Sequence, residues 1–248
     1  MGALGHYLED AGIATTQISL VREHTAALVP PRALWVPFML GRPFGVPNNP
    51  AFQRKVAFAA LGLLERDRGP VLEDFPQDAP YDDLGPAPEG LVCPVSFPRL
   101  QAEGSLGEML GDEVAQLSAW HELAVRHRGR TTLGTTGLSP SRIAEFIASW
   151  ASSTPMPTVR VDLAPADALK LACDELKAFY YEAKSVQPGR HSSEAIQRWF
   201  WTETAAGQAF LSIRGQAARS TDPAMKGIAT LSLVPRAVDA MLRSTSSS

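Results

Sequence analysis

The spacing of apolar residues changes along the chain, and the change separates two regions. Residues 4–10 carry a helical pattern stopped by Gly12, and residues 13–20, rich in Ile, Thr and Val, read as a strand. A helix over 22–28 follows, Pro30 and Pro31 break the chain, and the apolar run 33–38 reads as a second, buried strand. Two strands joined through a helix pair in parallel, because a hairpin turn has no room for the crossover. Residues 40–50 are dense in Gly, Pro and Asn and lead into a helix over 50–65, with Asn49 as its N-cap and Pro50 at its first position. A helix that precedes the first strand of such a unit normally follows a strand of its own, so the N-terminus reads as incomplete.

Between Arg66 and Ser105 stand seven prolines, at positions 70, 76, 80, 86, 88, 94 and 98, a density that favours an extended connector over any helix. From Ser105 the period becomes helical. Leu106, Met109, Leu110, Val114, Leu117, Trp120, His121 and Ala124 recur at three- and four-residue intervals up to Arg126. A turn-rich loop over 129–137 ends at Ser139-Pro140, which opens a helix to Trp150. Further helices are expected over 166–185, 193–214 and 222–242. In the first of these, Leu169, Ala172, Cys173, Leu176, Tyr180 and Ala183 form one stripe, with Lys170, Lys177 and Lys184 on a solvated face. The fold class is therefore α/β. A partial Rossmann-like parallel βαβ segment occupies 1–66, a connector 67–104 and a mostly helical region 105–243, and the Ser/Thr tail 244–248 is expected to be disordered.

Composition narrows the classes of function. The chain is 45% hydrophobic, enough for one sizeable core or two small ones. A net charge of −3, without a long run of one sign, leaves no footprint for nucleic acid or anionic lipid. Apolar runs such as 56–64 fall far short of the roughly 20 residues a membrane-spanning helix needs. Two cysteines, Cys93 and Cys173, and no secretory pattern in residues 1–11 point to a soluble protein of a reducing cytoplasm. Nothing calls for a cofactor, and His121 and His127, six apart, do not have the spacing of a helical metal pair.

The candidate chemistry is dispersed. Gly41, Arg42 and Gly45 lie in the loop after the second strand, where open α/β sheets place ligands. Their backbone N–H groups and the guanidinium suit a small anion, although proline-rich turns there are common without one. Arg32, at the other end of that strand, is expected in a structural ion pair. Arg130 and Thr132 precede a helix N-terminus and suit a carboxylate or phosphate, against a plain capping role. Cys93, followed by a proline in a proline-rich stretch, is the more accessible thiol and a candidate catalytic one, against a structural role, and Cys173 sits in an apolar stripe. Glu203 falls among Ile196, Trp199, Phe200 and Phe210, where burial would raise its pKa toward the acid/base range, unless Arg214 pairs with it. The run Trp199-Phe200-Trp201 cannot all face one core, which would leave part of it for a protein partner.

The order of residues 7–50 resembles one known family. Its elements are Leu8-Glu9-Asp10-Ala11-Gly12-Ile13, then Ile18-Ser19-Leu20, Pro31-Arg32-Ala33-Leu34-Trp35-Val36-Pro37-Phe38 and Gly41-Arg42-Pro43-Phe44-Gly45-Val46-Pro47. This order is similar to that of the B-components of glycine, sarcosine, betaine and D-proline reductases. The resemblance covers about the first fifth of the chain and implies reductive cleavage of carbon–nitrogen bonds by a selenolate or thiolate. That nucleophile stands just ahead of the first helix in the family, and this chain has no cysteine before Val92. The expectation is a relative or subunit of such a reductase, an oxidoreductase if it is an enzyme. It would bind a small amino-acid-derived or carboxylate-bearing ligand between the α/β piece and the helical half, without the family's nucleophile. The alternative is a non-catalytic partner or scaffold subunit, in a homo-oligomer or a larger complex.

Overall fold

Three apolar segments in the first eighty residues are too short to be stable alone and pair into one sheet. The computed structural model describes residues 2–39, 41–80, 104–156, 160, 162–189 and 191–245, in two compact units, 1–83 and 84–248. The first unit runs α1 (Gly2–Asp10), β1 (Gln17–Ser19), α2 (Arg22–Leu28), β2 (Arg32–Trp35), α3 (Pro50–Gly62) with a 3₁₀ turn Leu63–Glu65, and β3 (Val71–Asp74). Its sheet has the order β1-β2-β3 and is parallel throughout, with Ile18 opposite Leu34 and Ala33 opposite Leu72. The expected parallel pair is therefore present, although both strands are shorter than the apolar runs that announced them. Residues 13–16 are held otherwise: the Thr15 N–H and hydroxyl both donate to Glu9, and the Thr16 hydroxyl donates to the Ala60 carbonyl.

β3 lies inside the stretch read as connector. Pro70 and Pro76 flank it and leave only four residues to pair, so composition hides it. The Gly69 backbone approaches so closely that an added Cβ would lie 2.5 Å from the Pro31 carbonyl oxygen. The core of this unit is small: Leu34, Val36, Phe38, Phe52, Val56, Ala60, Leu63 and Phe75. Within it the rings of Phe38, Phe52 and Phe75 meet with centroids 5.6–6.0 Å apart. Arg32 takes the ion pair expected of it. Its Nη1 lies 2.7 Å from Glu9, while Nε and Nη2 donate to the Arg66 carbonyl, which ties α1, β2 and the turn after α3 together.

The second unit is helical: α4 (Leu106–Arg128), α5 (Pro140–Ala151), α6 (Pro165–Lys184), α7 (Ser193–Glu203), α8 (Ala205–Ala218), α9 (Pro223–Leu231) and α10 (Arg236–Thr245). Ser105 and Glu108 form a capping box on α4, and Ser139 caps α5 ahead of Pro140. Two expected helices are each divided. The span 193–214 breaks at Thr204, whose hydroxyl accepts from the Gly207 N–H and donates to the Phe200 carbonyl. The span 222–242 breaks before Pro235. The last helix reaches Thr245, two residues into the expected disordered tail. α6 supplies Leu169, Leu176, Phe179 and Tyr180 to a core shared with α4, α5, α7 and α8. Phe200 and Trp201 are fully buried there and Trp199 packs against it, so the aromatic run does not form an outward patch. The break at Thr204 is the reason, because it folds α8 back so that Phe210 meets both Phe200 and Trp201.

Candidate functional site

Gly41 and Gly45 adopt φ of 87° and 81°, a left-handed backbone that a side chain disfavours. At Gly45 a Cβ would also lie 2.7 Å from the Phe52 ring. The loop over 41–49 is tied down by the Arg42 N–H on the Met39 carbonyl, the Gly45 N–H on the Arg42 carbonyl and the Gln53 amide on the Val46 carbonyl. Asn49 then caps α3 through the Phe52 N–H. The sequence thus placed Gly41, Arg42 and Gly45 in one ordered loop beyond β2.

This loop borders a cavity of about 500 Å³ in the first unit. Pro43 and Phe44 form one side of it, and Ala57, Ala60 and Leu61 of α3 form another. The remaining wall is β1 and its approach, Thr16 to Ile18. The lining holds no ionisable side chain; its polar members are Thr16, whose hydroxyl proton is given to Ala60, and the Gln17 amide. Such a site can enclose a small apolar group and leave a charged end at the loop.

In the second unit, Arg130 is exposed and Thr132 is already engaged. The donors of the loop over 129–137 are turned onto two carboxylates of α6. Glu182 accepts from the Thr131 hydroxyl (2.7 Å) and from the Thr132 N–H (2.9 Å) and hydroxyl (2.7 Å). Glu175 accepts from the Gly134 and Thr136 N–H groups at 2.5 and 2.6 Å. The loop has the anion-binding chemistry read from its sequence, and the protein's own side chains use it. Burial pushes the Glu182 pKa up, but hydrogen bonds with His121, Thr131 and Thr132 outweigh it and hold the carboxyl at about 2. His121 does not complete a catalytic triad. Thr131 and Glu182 both meet the same ring nitrogen, Nε2, at 3.3 and 3.1 Å, whereas a relay needs them on opposite nitrogens.

Glu203 is exposed at the end of α7 rather than set among aromatics, and Arg214 pairs with Asp239. A carboxylate that does meet an aromatic side chain is Glu113. It accepts from the Tyr180 hydroxyl at 2.8 Å and from the Ala205 N–H at 2.7 Å. Burial raises its pKa, and bonds from Ala205, Tyr180 and Ala206 only partly offset this. With Tyr180 wholly inaccessible, the group is a tether that caps α8 from α4. Cys93 lies outside the described residues. Cys173 is buried, and burial raises its thiol pKa far above the usual range.

Sequence reasoning missed Glu113 and Glu175 and set Glu182 against the α6 lysines at ion-pair spacing, whereas all three act 39 to 93 residues away along the chain. A seven-residue spacing that puts Glu175 and Glu182 on one face of α6 was the available signal. Lys170 and Lys177 pair with Asp174 alone, and Lys184 is half-buried, its Nζ 4.9 Å from the Trp199 ring centroid. Among the described residues, no group of three His, Cys, Asp or Glu is placed to hold a metal ion, and no helix is long and apolar enough to cross a membrane. No protein-family model matches the chain, and neither a curated protein nor a solved structure matches it.

Proposed function

We propose that the chain is a relative of the glycine, sarcosine, betaine and D-proline reductase B-components that binds a small carboxylate-bearing ligand and does not supply the family's nucleophile. The observation that carries this reading is the cavity of about 500 Å³ beside the ordered loop that holds Gly41, Arg42 and Gly45. Its volume lies in the range of small-molecule sites. The loop follows β2, and the rest of the lining stands at the amino end of β1 and along the second half of α3. Arg42 directly precedes Pro43 of the lining and offers a guanidinium for the carboxylate.

A thermal-shift screen of small carboxylates on the wild type, followed by titration of Arg42→Ala with any hit, tests this. A charge-assisted contact of about 1.5 to 3 kcal/mol corresponds to a loss of about tenfold to a hundredfold in affinity. Stabilisation by no carboxylate, or unchanged affinity in Arg42→Ala, rejects the site.

The partner-subunit reading has its own support. Among the described residues, ten large apolar side chains between Leu4 and Leu64 are more than a third exposed, against two in the second unit, Met156 and Leu231. Phe58, Leu61 and Leu64 share one side of α3 and its following turn, and Phe58→Glu should dissociate any complex formed there, as read by light scattering.

A further inference from the structure

We infer that the buried end of the ligand is neutral and apolar, so that this site takes a short aliphatic or aryl carboxylate in preference to a zwitterionic amino acid. The inference rests on the carboxylate-binding reading above and departs from the amino-acid-derived ligand that the family resemblance implies.

The argument is one of charge balance. An α-ammonium drawn into the cavity loses its water and needs a carboxylate in exchange. The lining provides Ile18, Phe44, Ala57 and Leu61 as apolar walls, and Thr16 and Gln17 as its polar members, both neutral. Of the acids in the same unit, Glu9 is engaged by Arg32 and Thr15, Glu73 by Arg66, and Asp74 by Arg22. A hydrocarbon tail, by contrast, gains from each methylene it removes from water against Ile18 and Leu61, about fourfold in affinity per group.

The experiment is calorimetric titration of the full chain with butyrate, pentanoate, hexanoate, hexanamide and norleucine. The expected result is a rise of about fourfold per methylene up to hexanoate, with hexanamide and norleucine each at least tenfold weaker than hexanoate. Ala57→Leu, which narrows the cavity at a half-buried position, should weaken hexanoate and flatten the chain-length series; an unchanged melting temperature confirms that the variant folds. Norleucine binding as tightly as hexanoate, a flat series in the wild type, or an unchanged series in Ala57→Leu overturns the inference while Arg42-dependent binding still leaves the site standing. Binding of no carboxylate overturns both.

Discussion

Glu182 offers the sharpest test of how the second unit is held together. Glu182→Ala removes the acceptor for the Thr131 hydroxyl and for both donors of Thr132, and strands His121 beside Phe179. Each polar group left unmet in a part-buried site costs about 1–3 kcal/mol, reduced where water enters, so a total of about 3 kcal/mol is expected at neutral pH. Proton linkage gives the same size. A carboxyl held at about 2 in place of 4.5 corresponds to roughly 3 kcal/mol at about 1.4 kcal/mol per unit. The folded-state pKa lies below the unfolded one, so this stability is present above pH 4.5 and is lost as pH falls toward 2. Urea denaturation followed by tryptophan fluorescence reads the second unit, which holds Trp120, Trp150, Trp199 and Trp201 of the five tryptophans. The gap between wild type and Glu182→Ala should narrow from about 3 kcal/mol at pH 7 to about 1 kcal/mol at pH 3. A gap that stays constant across that range, or one below about 1 kcal/mol at pH 7, refutes the assignment.

Three further outcomes are expected. Gly207→Ala would put a Cβ 2.2 Å from the Phe200 carbonyl oxygen, which should cost about 3 kcal/mol in denaturant unfolding, where an ordinary exposed helical Gly→Ala change would stabilise. Arg32→Ala should destabilise the first unit by about 3 kcal/mol because it leaves Glu9 without its cation and the Arg66 carbonyl without its donor, yet leave ligand affinity per folded molecule unchanged. Cys173 should resist iodoacetamide in the native protein and react only after unfolding, as mass spectrometry of the helix α6 peptide would show.

Much of the architecture is written locally. Ser105 with Glu108, Ser139 with Pro140 and Asn49 with Pro50 each satisfy helix N–H groups from within four residues, so helix starts are legible without knowledge of the fold. The parallel pairing of β1 and β2 follows from the helix between them. What escaped depends on distant contacts. The break at Thr204 involves no proline or glycine at the break itself, and it separates α7 from α8 because α8 packs back against the Phe200 backbone. That break also sends Glu203, expected inside, to the surface at the end of α7. β3 is stable only because β2 already stands beside it. The donors that Glu175 and Glu182 accept from stand in a loop some forty to fifty residues earlier, beyond the reach of local pattern.

The candidate ligand loop was legible from Gly41, Arg42 and Gly45, whereas its cavity was not, since six of its eight lining residues come from the second half of α3 and from β1 with its approach. That cavity is the centre of the functional account, and methyl-resolved NMR of the full chain with added hexanoate addresses it most directly. The account predicts shifts concentrated on the methyls of Ile18, Ala57, Ala60 and Leu61, saturating with hexanoate concentration, with the midpoint moved about tenfold to a hundredfold higher in Arg42→Ala. Shifts confined to other methyls, such as those of Leu169 and Leu176 in the helical core, or no saturable shifts at all, would contradict it.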